Sequence, residues 1–224
     1  MNVRAFDLII FDFDGTLADS AHGIAACMGA AFESLDLRPP AIEDVRPRIG
    51  LRLEEAIRQL IRDRRDVDVP GVAARYRELH DSVAAPATAL FRGTPAVLAM
   101  LDATGMSLAV VSQKSRRALT HLLRQCEIDR HFDLVLGADD VSVPKPQAGL
   151  YEQYIAPRFD HPAGDRVLVV GDTDIDLRFA ANIGARSCWV EYGYGHAGSC
   201  RALQPTHTIT DITGMMSICG LSPL

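Results

Sequence analysis

The chain of 224 residues predicts an α/β fold: a doubly wound parallel sheet with a small helical segment inserted near its start. Three observations predict it. Short apolar runs at Leu8–Phe11 and near Leu108, Leu134, Val167 and Cys188 read as strands covered on both faces. Helical patterns lie between the later runs, as in parallel βαβ units. The long stretch between the first two runs carries helical periodicity alone.

Taken in order, the first strand ends abruptly in Asp12-Phe13-Asp14-Gly15. Beyond it, residues 20–35 place Ile24, Met28, Ala31, Phe32 and Leu35 on one helical face. Residues 53–61 repeat the pattern with Ala56, Ile57, Leu60 and Ile61, and residues 71–85 with Val72, Tyr76, Leu79 and Val83. Arg62-Asp63-Arg64-Arg65-Asp66, between the last two, reads as a solvated turn. From Pro86 onward strands alternate with helices, and a last strand near Thr208 is weakly marked. The expected division is a core of residues 1–17 and 86–224 interrupted by a helical insert of residues 18–85. No internal repeat or low-complexity tract interrupts this reading.

Composition narrows the function classes. The formal charge of −6 argues against a nucleic-acid surface, for which a basic face is expected. No apolar stretch approaches the length of a membrane span. Cys27, Cys126, Cys188, Cys200 and Cys219 are dispersed without a CxxC pair, and the N-terminus runs directly into the first strand. Reduced thiols and a cytoplasmic location are the expectation.

The chemistry concentrates at strand ends. Ligands of open α/β sheets gather beyond the carboxyl ends of the strands, where Asp12 and Asp14 stand and Gly15 permits a bend. A surface turn is the competing reading, since Asp and Gly are common turn residues. A second run of the same form decides between them: Val167-Leu168-Val169-Val170-Gly171-Asp172-Thr173-Asp174-Ile175-Asp176. If the two strands are neighbours, their acids crowd like charges together, which is costly unless a cation neutralises them. Magnesium suits such a site, because it prefers oxygen ligands and is often shared with a phosphate. A third run ends in Ser112-Gln113-Lys114, before a helix starting near Ser115. The chain's second lysine, Lys145, lies between Pro144 and Pro146. The prolines keep it out of a mid-helix position and stiffen its backbone, which suits a point charge offered to phosphate.

In order, Asp12-Phe13-Asp14-Gly15-Thr16-Leu17, Ser112, Lys145-Pro146 and Gly171-Asp172-Thr173-Asp174-Ile175-Asp176 resemble the four signature motifs of the haloacid dehalogenase-like (HAD) hydrolase superfamily. Phe91-Arg92-Gly93-Thr94 and Glu191-Tyr192-Gly193-Tyr194-Gly195 make the chain most similar to the phosphoglycolate-phosphatase-like branch. Gln113 stands where asparagine is usual, and Gln147-Ala148 replaces more usual acidic or proline residues.

The resemblance implies a Rossmann-like HAD core with the insert as a helical cap. It also implies a Mg2+-dependent phosphatase acting on a small phosphorylated metabolite such as phosphoglycolate, with no nucleic-acid or membrane partner, as a monomer or homodimer. Asp12 is the implied nucleophile, forming an aspartyl-phosphate, and Asp14 the implied general acid and base. Gly15, Thr16, Ser112, Gln113 and Lys145 are the implied phosphate-binding residues. Asp12, Asp14 through its carbonyl, Asp172 and Asp176 are the implied metal site; Asp174 fits helix-start capping equally well. In the insert, Arg46-Pro47-Arg48-Ile49-Gly50-Leu51-Arg52 offers Arg48, Gly50 and Arg52 as readers of the substrate's far end, with His22 a further candidate near the first motif. Three cations there favour an acidic ester. Asp14 argues against a dehalogenase, and the lysine-free insert against Schiff-base phosphonate cleavage. A sugar-phosphate mutase and a non-catalytic phosphate- or metal-binding module stay as alternatives.

Overall fold

The computed structural model describes residues 5–62, 64 and 66–222. In chain order the elements are β1 (Leu8–Phe11), β2 (Ala18–Asp19), α1 (Ala21–Glu33), α2 (Ile42–Val45), α3 (Leu53–Ile61), α4 (Val69–Leu79), β3 (Ala89–Leu90), α5 (Thr94–Ala103) and β4 (Ser107–Val111). Then follow α6 (Arg116–Gln125), β5 (Leu134–Leu136), β6 (Val167–Gly171), α7 (Asp174–Asn182), β7 (Arg186–Val190), α8 (Ala197–Ala202), β8 (His207–Ile209) and α9 (Met215–Ile218).

Six strands form one parallel sheet in the order β5-β4-β1-β6-β7-β8. Strand periodicity sends alternate side chains to opposite faces, and both faces are covered. Ile9, Phe11, Leu108, Val110, Leu168 and Val170 pack into one apolar cluster. Leu8, Ile10, Ala109, Val111, Val167 and Val169 belong to the other. That is why these strands read as unbroken apolar runs. Phe11 pairs with Val110 of β4 on one side and with Val170 of β6 on the other. The register therefore brings Asp12, Ser112 and Asp172 out at one end of the sheet, at the point where the strand order passes from β4 and β5 on one side of β1 to β6, β7 and β8 on the other.

A third apolar cluster belongs to the helices between β1 and β3. Cys27, Met28, Ala31, Phe32, Ile57, Val72, Ala73 and Tyr76 are buried together there, and Tyr194 from beyond β7 packs against them. The segment leaves and re-enters through the short antiparallel pair of β2 and β3, Ala18 opposite Leu90 and Asp19 opposite Ala89.

Three expected elements end differently. Leu35 leaves the apolar face: α1 stops at Glu33, Asp36 adopts a φ of 55°, and Leu35 is 43% exposed. The helix expected through Ala85 is α-helical only to Leu79, becomes a π turn over His80–Ala84, and closes in a 3-10 turn at Ala85–Ala87, where Pro86 lacks the donor to continue. Between β5 and β6 the expected helix is short and mixed: it is α-helical only at residues 149–150, becomes a π turn over Tyr151–Ile155, and ends in a 3-10 turn containing Pro157. The weakly marked last strand is β8, at the sheet edge, with Ile209 its one buried residue. In the charged turn, Arg64 and Asp66 pair at 2.7 Å in solvent, while Asp63 and Arg65 lie outside the described residues. No described helix is long and apolar enough to cross a membrane, and the five cysteines are free.

Candidate active site

The loop after β1 is tightly wound. The Phe13 carbonyl accepts from the amides of Thr16, Leu17 and Ala18, and Gly15 N–H donates to the Ala18 carbonyl at 2.8 Å. Gly15 has a φ of 81°, and a Cβ there would stand 2.4 Å from Asp172 Oδ2. Glycine is required on both counts. The winding turns Asp12 and Asp14, both buried, into separate settings.

Asp12 faces β6. Its Oδ1 accepts from Lys145 Nζ at 2.7 Å, and the same ammonium donates to Asp176 Oδ1 at 2.6 Å. Asp176 is held by the start of its own helix: its Oδ2 accepts from Thr173 N–H at 3.2 Å and from Thr173 Oγ1 at 2.8 Å. Asp172 accepts from Tyr194 N–H at 2.6 Å and from Thr16 Oγ1 at 3.4 Å, and its carbonyl takes the Trp189 indole N–H at 3.1 Å. Asp12, Asp172 and Asp176 each offer a carboxylate oxygen within 4.8 Å of the others, the one such grouping among the described residues.

The electrostatics follow from this crowding. Burial, reinforced by Asp176 and Asp14 and opposed by Lys145, pushes the Asp12 carboxyl up to about 7. Burial, with Asp12 and Asp176, drives Asp172 well above the usual carboxylate range. Burial alone would lower Lys145, but the charges of Asp12 and Asp176 outweigh it and raise it. One ammonium against three buried carboxylates leaves negative charge uncompensated, so this all-oxygen cluster fits a hard divalent cation.

Asp14 stands apart from the triad. Its Oδ1 accepts from Ser20 Oγ at 2.5 Å and from Lys114 Nζ at 3.0 Å; its part in the expected metal site rests on its backbone carbonyl alone. Ser112 Oγ accepts from Lys114 N–H at 3.2 Å, fixing the turn that carries the lysine. Gln113, expected on phosphate, lines the cavity but donates its amide to the Lys145 carbonyl at 3.4 Å. Thr16 directs its hydroxyl to Asp172 rather than outward. Asp174 begins α7 but does not cap it: Thr173 and Asp176 form the capping box, and Asp174 pairs along the helix with Arg178 at 3.1 Å.

A cavity of about 550 Å³ extends from Asp12 and Asp14 toward the helices, lined by Ser112, Gln113 and Lys114 at one end and by Arg48, Gly50 and Arg52 at the other. Arg48 donates to the Asp44 carbonyl, and Arg52 to the carbonyls of Ala138 and Val141, each at 3.3 Å. Arg46 instead stacks 5.2 Å over the Tyr194 ring. His22 does not line the cavity; it is exposed on the outer face of α1.

Sequence reasoning passed over four contributors. Lys114 was marked by its rarity, as one of two lysines, yet nothing local tied it to Asp14. Tyr194 lies inside a Gly-Tyr-Gly run; its hydroxyl accepts from Ser20 N–H at 2.7 Å and Ala21 N–H at 3.1 Å and donates to Asp19 at 2.8 Å. Ser20 and His80, which lines the cavity from the π turn, carried no signal.

Comparison with known proteins agrees with this geometry. The family model described as haloacid dehalogenase-like hydrolase matches residues 9–190. Phosphoglycolate phosphatase of Pseudomonas fluorescens (strain Pf0-1) is 28% identical over 95% of this chain and 79% of its own. The Dickeya dadantii protein named "Probable phosphatase IndB" is 31% identical over 92% of both chains. A crystal structure described as a predicted phosphoglycolate phosphatase, from Haemophilus somnus 129pt, superposes with a TM-score of 0.87 at 23% identity, covering 96% of this chain and 98% of that one. With the family model matched over residues 9–190 and the fold shared over 96% of the chain, the chain belongs to the haloacid dehalogenase-like hydrolases.

Proposed function

We propose that the protein is a magnesium-dependent phosphatase that hydrolyses a small, acidic phosphate monoester of the phosphoglycolate kind through an aspartyl-phosphate on Asp12. The observation that carries this reading is the separation of the two acids of one loop: Asp12 with Lys145 and the acidic triad, Asp14 with Ser20 and Lys114. Relatives named phosphoglycolate phosphatase support the substrate class.

Asp12 Oδ attacks phosphorus as the bond to the leaving oxygen breaks, and Asp14 gives that oxygen its proton. Water then attacks the phosphoryl group, yields a proton to Asp14, and the Asp12–phosphorus bond breaks. Both hydrogen bonds on Asp14 fall on Oδ1, which leaves Oδ2 to carry the proton. Lys145 keeps Asp12 in place and Lys114 adds positive charge beside Ser112 where phosphoryl oxygens gather. Asp12, Asp172, Asp176 and the Asp14 carbonyl are the groups that would hold magnesium, which supplies neutralisation of the phosphoryl charge when bound.

The helical insert, residues 18–85, is assigned the role of a cap that excludes water from the reacting group and opens for release. The test is phosphate release from small esters with magnesium and with excess chelator. Magnesium-dependent release supports the reading; isomerisation without release would point to a mutase, and a folded, inert protein to a binding module.

A further inference from the structure

The segment after β7, Glu191-Tyr192-Gly193-Tyr194-Gly195, carries no reacting group, yet it touches both acid-bearing loops. A Cβ on Gly193 would stand 2.6 Å from both Asp172 Oδ2 and the Gly15 carbonyl oxygen, and one on Gly195 would run into the Asp172 carbonyl. Only glycine admits so close an approach. Tyr192 then donates its hydroxyl to the Thr16 carbonyl at 2.8 Å. Tyr194 reaches further. Its N–H holds Asp172 Oδ2 at 2.6 Å, its ring packs against the helical cluster under Arg46, and its hydroxyl ends at the start of α1.

That helix start is completed from outside. A serine at an N-cap ordinarily accepts from an amide of the first turn. Ser20 occupies the position, but its side chain makes no such bond. The Tyr194 hydroxyl accepts instead from Ser20 N–H at 2.7 Å and Ala21 N–H at 3.1 Å, and gives its one hydrogen to Asp19 Oδ1 at 2.8 Å. The serine hydroxyl is thereby released for another partner. Ser20 is buried, and its Oγ donates to Asp14 Oδ1 at 2.5 Å.

A continuous run of bonds therefore leads from Asp172 through Tyr194 and Ser20 to Asp14. It meets Asp14 on the oxygen that Lys114 also holds at 3.0 Å. Two donors on Oδ1 fix the rotation of the carboxyl and keep Oδ2 for the proton. With Ser20 displaced, the ammonium alone remains, and a point charge on a flexible stem sets direction poorly. Proton transfer depends on that direction as well as on distance.

Resting on the reading of Asp14 as general acid, we infer that Tyr194 is a positioning residue: its hydroxyl seats Ser20, and Ser20 aims Asp14 at the leaving oxygen. Neither Tyr194 nor Ser20 lines the cavity, so both act through Asp14.

The experiment measures kcat/KM, at saturating magnesium, for alkyl esters (phosphoglycolate and glycerol phosphate) and for p-nitrophenyl phosphate, whose leaving group departs without a proton. Tyr194→Phe keeps the ring and the N–H on Asp172 and removes only the hydroxyl. It should lower the alkyl-to-aryl ratio of kcat/KM about tenfold, as should Ser20→Ala. The double variant should fall little further than either single one, because both changes break one relay. An unchanged ratio in either single variant, or single losses that multiply in the double, overturns the inference; a lowered ratio in Asp14→Asn then leaves the phosphatase reading standing. An unchanged ratio in Asp14→Asn removes the acid role and the inference with it. No turnover of any ester by the wild type overturns the phosphatase reading as well. If Tyr194→Phe does not fold, Ser20→Ala decides, since an unchanged ratio there leaves the relay nothing to aim.

Discussion

The strand-end cluster and the helical wall of the cavity face each other across the same space but are finished differently. At the strand ends, Asp12, Asp14, Asp172, Asp176 and Lys145 each hold at least one specific hydrogen bond. On the helical wall, Arg48, Arg52 and His80 each keep a buried nitrogen without a partner. Under the proposed function the first set reacts and the second selects. The distinction predicts that damage at the strand ends strikes all substrates alike, whereas damage on the wall discriminates among them.

Asp12→Asn tests the first half most severely. The amide keeps the volume and the fold but is a poor nucleophile, so turnover of every ester should fall below detection, with circular dichroism unchanged. Near-normal activity would end the covalent mechanism. Asp14→Asn should cost roughly 10²–10⁴-fold, and the loss should be greater for alkyl than for activated aryl phosphates, which need no proton on departure. Equal losses would remove Asp14 from the acid role.

Lys145→Ala strips the ammonium from between two buried carboxylates. Breaking a buried pair costs roughly 3–5 kcal/mol, or about 6–20 °C in Tm for a chain of this size, and a melt in chelator should show it. Magnesium should return part of the loss, because it replaces the missing charge; no recovery would argue against a cation among the three acids.

The pH dependence has a definite sign. The Asp12 carboxyl sits up at about 7 because of burial, against roughly 3.9 in an unfolded chain. Between those values the folded state holds a proton that the unfolded state has released. Asp12 therefore makes the metal-free protein less stable as pH rises through that window, with the effect complete above about 7. Protons and magnesium compete for the same oxygens. The Tm gain from magnesium should thus be larger at pH 8 than at pH 5 in paired melts; the reverse order would break the assignment. The smallest effect is expected on the wall. Arg52→Ala should shift the ratio of kcat/KM between acidic and uncharged esters several-fold, and a uniform loss across esters would move it out of the selecting role.

The two regions also differed in how far the sequence exposed them. Strand runs and strand-end acids are local signals: Leu8–Phe11 and Val167–Gly171 are apolar because both sheet faces are covered, and Asp12 and Asp172 follow each run directly. Pairings that depend on the closed fold left no such trace. Lys114 meets Asp14 across 100 positions, and Tyr194 meets Ser20 across 174. His80 enters the cavity from a π turn, whose spacing helical periodicity does not anticipate. Gln113 and Thr16 are singled out by position, but their side chains bond to the Lys145 carbonyl and to Asp172, pairings that only packing makes.

The antiparallel pair of β2 and β3 has a consequence for how such a protein changes over time. Ala18 opposite Leu90 and Asp19 opposite Ala89 place the two ends of the helical segment side by side, and Phe91 N–H reaches the Leu17 carbonyl at 3.1 Å. A segment with adjoining ends is an interchangeable cassette: lengthening, shortening or replacing it leaves the register of β1 with its neighbours untouched. An insert exchanged at these adjoining ends would leave β1 seated between β4 and β6 and the strand-end carboxylates where they stand.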